Sequence, residues 1–107
     1  MKRAAASIAG LGILAGAVAA QPAQPAIGYE DAAVLAGTCF GCHGPEGGGV
    51  DPIPRIAGMP ADRMIALFAA FAAGELPGAT IMERIVFAYD DGQVAAIARY
   101  FAGWDAP

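Results

Sequence analysis

Both cysteines and the only histidine of this 107-residue chain fall within five positions, Cys39-Phe40-Gly41-Cys42-His43. Cys-x-x-Cys-His is the pattern by which a chain carries c-type haem covalently. The spacing follows from the chemistry. Each thiol adds to one vinyl group of a porphyrin, and a three-residue offset on a helical turn sets both sulfurs along one edge of the ring. The next residue points under the macrocycle, where an imidazole nitrogen takes an axial position on iron. Other readings of the same residues fit less well. A structural zinc needs four ligands, usually supplied as two separated pairs, whereas this chain offers three S/N ligands in one cluster. A thioredoxin-like redox pair sits near a βαβ pattern, which is absent. A disulfide between Cys39 and Cys42 would leave His43 without a role.

With histidine used up, the sixth position on iron falls to water, a thioether or another group. Beyond the initiator there are three methionines, Met59, Met64 and Met82. Met64 lies on the apolar stripe of a helix, the usual place of a core-filling Met. Met59 follows a Gly/Pro-rich loop and reaches iron only if that loop folds tightly. Met82 follows Pro77-Gly78 on a segment able to lie across the distal face, and is the best candidate by elimination.

These residues need helices to hold them. The pattern Tyr29–Thr38 reads as a helix, with Glu30 and Asp31 in the first turn where the helix dipole favours negative charge and Val34 and Leu35 as its apolar face. It runs into the Cys-x-x-Cys-His turn. Gly44–Pro60 is too dense in Gly and Pro for a regular element, and a loop of that length is usually functional; it is placed to wrap the haem edge on the histidine side. It lacks the Gly-Lys-Ser/Thr and the preceding strand of a phosphate-binding loop. Ala61–Gly74 predicts a helix with Met64, Ile65, Leu67, Phe68 and Phe71 as its stripe and Gly74 as its stop. Ile81–Ala88 is compatible with a short helix or an irregular segment. Asp90–Phe101 predicts the last helix, with Asp90 and Gln93 as a capping box and Val94, Ile97, Tyr100 and Phe101 facing the core. There is no strand pattern, so the fold is all-α.

The ends and the charge bound the setting. Residues 1–20 (MKRAAASIAGLGILAGAVAA) combine Lys2 and Arg3, an apolar stretch and closing small residues, the form of a secretory signal peptide with cleavage after Ala19 or Ala20. A retained anchor is the competing reading, but the run is rich in Ala and Gly and short of the roughly 20 strongly apolar residues of a comfortable span. Residues 21–28 are a Pro-containing linker, and 29–107 form one monohaem domain. A domain this small needs a staple, which a covalently held porphyrin supplies. Beyond residue 20 four arginines (Arg55, Arg63, Arg84, Arg99) face ten acidic residues, a net charge of −6 without any lysine. That excludes nucleic acid and anionic lipid as partners. A partner must present apolar or basic groups instead.

Cys39-Phe40-Gly41-Cys42-His43-Gly44, Ile53-Pro54-Arg55-Ile56-Ala57-Gly58, the helix end Phe71-Ala72-Ala73-Gly74-Glu75 and Thr80-Ile81-Met82 together resemble the bacterial class I cytochromes c. Within that class the order of phrases is most similar to the cytochrome subunits of flavocytochrome c sulfide dehydrogenases, over about Ala32 to Gly103. The resemblance implies a small class I cytochrome c fold of three to five short helices packed around one covalently bound haem. It implies His43 as proximal and Met82 as distal iron ligand, and the Pro54 carbonyl as acceptor of the proximal imidazole N–H, a bond that fixes ring orientation and basicity. Two departures bear on the partner-facing surface. Glu83 stands where the family usually has Gly after its Met, and Val86-Phe87-Ala88 where a basic residue or Gly precedes the following aromatic.

The expectation is a periplasmic one-electron carrier whose redox partner is a sulfide-oxidising flavoprotein. Two rivals stand beside it: a free shuttle to an oxidase or photosynthetic reaction centre, and a five-coordinate haem protein binding a small ligand, with Met82 merely in the core. After signal removal no stable membrane insertion is expected.

Overall fold

The computed structural model describes residues 4–17 and 25–104. The cleavage positions after Ala19 and Ala20 and the first half of the 21–28 linker lie outside them. Residues 4–17 take no regular structure, and Ile8, Leu11, Ile13 and Leu14 are each at least 90 % exposed. That apolar run therefore contributes nothing to the core. No helix among the described residues is long and apolar enough to cross a membrane.

Among the described residues five α-helices follow: α1 (Tyr29–Gly37), α2 (Phe40–His43), α3 (Ala61–Ala72), α4 (Met82–Ile85) and α5 (Asp91–Ala102). Single 3-10 turns occupy Pro45–Gly47 and Val86–Ala88. Among the described residues the only extended pairing is one antiparallel bridge between Val50 and Ile53. The fold is all-α, as the absence of a strand pattern predicts. Ile81–Ala88, compatible with two readings, resolves into one α-turn running directly into one 3-10 turn.

α5 is the central element. It packs most extensively on α1 and then on α3, and the core cluster takes Ala36 from α1, Met64 from α3 and Ile97, Ala98 and Phe101 from α5. Phe101 and Ile97 are fully buried. The predicted capping box starts α5: Asp90 Oδ1 accepts from the Gln93 amide at 2.8 Å, and Gln93 Oε1 accepts from the Asp90 amide at 2.9 Å. α3 ends in a Schellman motif. Gly74, at φ +66°, donates to Phe71 O, and Glu75 donates to Ala70 O, which satisfies carbonyls that the helix leaves unpaired.

Two expected apolar faces need correction. Val34 is 73 % exposed, and α1 buries Ala32 and Ala36 instead. Residues four apart share a helix face, and the small Ala32/Ala36 pair permits the close approach of α5 that a branched Val34 in the same place would prevent. Ile65, assigned to the α3 stripe, is 43 % exposed, while Met64 is buried. The long loop also carries slightly more order than its composition predicts, namely the Pro45–Gly47 turn and the Val50–Ile53 bridge.

Candidate functional site

The cysteine–histidine cluster is built on a tight succession of turns. Thr38 ends α1, and its amide donates to Leu35 O. Cys39 then acts as N-cap of α2, and its carbonyl accepts from the His43 amide at 2.9 Å. One helical turn thus separates Cys39 from His43. Cys39 is half-buried, Cys42 is exposed, and both are free thiols. Burial pushes the Cys39 thiol above its ordinary value.

His43 is the one buried polar side chain among the described residues. Its Nδ1 lies 2.6 Å from the carbonyl oxygen of Pro54. A carbonyl only accepts, so Nδ1 carries the proton and Nε2 carries the free lone pair. Among the described residues Nε2 has no hydrogen-bond partner, yet no buried side-chain nitrogen or oxygen among them lacks one. Nε2 is therefore reachable, oriented by a bond at the opposite side of the ring.

The loop that brings Pro54 to His43 is folded back on itself at Gly47. The Gly47 carbonyl accepts from both the Ile56 and Ala57 amides, and the Gly49 amide donates to the His43 carbonyl. Arg55 Nε donates to Ala57 O at 3.1 Å, holding the outgoing strand of the loop. Gly58 donates to Phe101 O, which ties the loop to α5.

The three methionines separate in the structure. Met64 is buried and Met59 is packed against the same core cluster. Met82 opens α4, half-buried, and α4 buries none of its residues. Of the apolar run beside it, Val86 is buried while Ile81 (57 %), Ile85 (42 %) and Phe87 (71 %) are exposed.

These residues suit a covalently held porphyrin better than a compact metal site. Among the described residues no three His, Cys, Asp and Glu side chains converge on a point, so Cys39, Cys42 and His43 do not form the inward-facing cage a tetrahedral ion requires. Two thiols on one turn and a reachable Nε2 would hold a covalently attached porphyrin, and Ile53, Ile81 and Ile85 are exposed apolar side chains. What the sequence does not signal is the pairing of Thr38 with Tyr89, whose hydroxyls lie 2.6 Å apart across 51 positions.

Residues 29–103 match the family model described as Cytochrome c. Among characterised proteins, the chain is 33% identical to cytochrome c-554(548) of Halomonas halodenitrificans over 69 residues, covering 62% of this chain and 83% of that protein.

Proposed function

Because this chain belongs to the cytochrome c family, whose members hold haem c covalently, we propose that it is a periplasmic one-electron carrier with Cys39 and Cys42 as thioether attachment points, His43 as proximal and Met82 as distal iron ligand. When bound, the haem iron supplies reversible one-electron chemistry between ferric and ferrous states. The observation that carries the residue assignment is the 2.6 Å bond from His43 Nδ1 to Pro54 O.

That bond fixes the imidazole plane and, in the neutral ring, places the proton on Nδ1, so His43 presents Nε2 as a ligand without rearrangement. Met82 is assigned because Met64 belongs to the buried core and Met59 packs against it, whereas Met82 opens a helix that buries none of its residues. During electron transfer these side chains make and break no bonds, and their contribution is to keep the same contacts in both oxidation states.

Export through residues 1–20 as a signal peptide is part of the same reading. Lys2 and Arg3, the apolar run and the closing small residues support it, as does the lack of any core contribution from residues 4–17.

For the partner we take a sulfide-oxidising flavoprotein, from which this domain would accept electrons. Its support is the order of sequence phrases shared with the cytochrome subunits of flavocytochrome c sulfide dehydrogenases, together with the exposed Ile81, Ile85 and Phe87. A free shuttle would use the same site with transient partners.

The test of attachment is direct. Exported protein, denatured and weighed, should carry one haem mass, and Cys39→Ala or Cys42→Ala should each shift the pyridine haemochrome spectrum to that of a single thioether. Denatured wild type without haem mass would sink the reading.

A further inference from the structure

Met82 lies on a segment with few anchors. The turns around Pro77 and Gly78 precede it, α4 buries no residue, and only Val86 of the following 3-10 turn is buried. The next anchor is Tyr89, in extended conformation just ahead of the Asp90 cap. Its ring stands edge-on to Phe68 of α3 at 6.3 Å. Its hydroxyl lies 2.6 Å from Thr38 Oγ1, the only side chain–side chain hydrogen bond among the described residues.

The direction of that bond follows from counting protons. Thr38 Oγ1 also lies 2.7 Å from the Leu35 carbonyl, which can only accept. The single Thr38 proton is therefore used there, and Tyr89 donates to Thr38. A polar chain Tyr89 → Thr38 → Leu35 results, in which each bond polarises the next. It joins the residue immediately before Cys39 to the segment that begins at Met82.

We propose that this bond makes Tyr89 and Thr38 positioning residues for Met82, tethering its segment to the haem-attachment turn and so setting how readily the Met82 sulfur is displaced. The inference rests on Met82 being the distal ligand. A ligand carried on a weakly anchored segment leaves by local opening, because such segments lie at the low-stability end of the fold. The affinity of a competing ligand scales with the open fraction, and a tether lowers that fraction without touching iron.

The test is imidazole titration of the oxidised holoprotein, following the weak red band of sulfur ligation, beside urea unfolding of each variant. Tyr89→Phe keeps the ring on Phe68 and removes only the donor. It should bind imidazole roughly two- to tenfold more tightly, the range expected for losing one hydrogen bond. Thr38→Val should do the same, Thr38→Ser should stay at the wild-type value, and the double variant Tyr89→Phe/Thr38→Val should add nothing beyond the single changes because the two hydroxyls act as one unit. Tyr89→Phe that lowers the urea midpoint while leaving imidazole affinity unchanged would make the bond merely structural and overturn the tether. Persistence of the sulfur band in Met82→Ala would instead overturn the ligand assignment, and the tether with it. Absence of the band in Met82→Ala together with unchanged imidazole affinity in Tyr89→Phe defeats the tether alone.

Discussion

The imidazole of His43 and the carbonyl of Pro54 close an eleven-residue loop through one 2.6 Å hydrogen bond. Since the acceptor is backbone, no side-chain substitution at position 54 deletes it; with His43 in place, the bond depends on how the loop is folded. The fold of the loop depends in turn on Gly47, which sits at φ +74° with its carbonyl accepting two amides.

Gly47→Ala should therefore be costly. A Cβ there would come within 2.7 Å of Phe101 Cε1 and 2.9 Å of Ile56 Cγ1, a clash with a fully buried ring in addition to a left-handed backbone. Left-handed strain of about 1–2 kcal/mol and overpacking of about 1–3 kcal/mol predict a loss of roughly 2–5 kcal/mol in chemical denaturation. Gly74→Ala is the control. It shares the positive φ (+66°) but meets open space, so only the backbone strain of about 1–2 kcal/mol should appear. Equal losses in the two variants would contradict the packing argument.

Met82→Ala should abolish the red sulfur-ligation band of the oxidised protein and lower its reduction potential, because a thioether ligand favours the ferrous state. Met59→Ala and Met64→Ala should retain the band; Met64, which is 3 % exposed, should lose about 2–5 kcal/mol of stability, and the half-buried Met59 less. A band that survives in Met82→Ala and vanishes in either of the others would move the ligand.

Asp90→Ala removes the acceptor half of the capping box at the start of α5. The expected loss is about 1 kcal/mol, read from the urea midpoint. Asp90→Ser, which can still accept from the Gln93 amide, should recover most of it. The absorption spectrum of the holoprotein should not change, since the cap supports α5 and not the iron ligands. A spectral change in Asp90→Ala would show that the cap also holds the Met82 segment.

Docking should be insensitive to salt. The chain beyond residue 20 has a net charge of −6 and no lysine, while Ile81, Ile85 and Phe87 are exposed beside Met82. Apolar contacts survive screening that weakens surface charge pairs, and an exposed apolar patch is a mark of a stable interface. With the proposed flavoprotein as partner, gel filtration of the two purified together should keep them associated at both low and high salt. A cytochrome eluting alone under both conditions would favour the free shuttle.

What the sequence determined by itself is local or periodic. Cys39, Cys42 and His43 are legible because their chemistry depends on separations of three and one residues. The Asp90–Gln93 box and the Gly74 stop are equally legible, each being complete within six residues. Met64 and Phe101 follow from helical periodicity. The Pro54 acceptor came through family resemblance and not through spacing, because an eleven-residue Gly/Pro loop has many closures and its length favours none. Tertiary structure decided the rest. Val34 and Ala36 are both apolar and nearly adjacent, and only the approach of α5 decides that Ala36 is covered while Val34 stays 73 % exposed. The Thr38–Tyr89 bond joins positions 51 apart, and neither residue type carries a signal for the other. Such a pair exists only once α1, α3 and α5 have packed and the Asp90 cap has turned the chain toward Thr38.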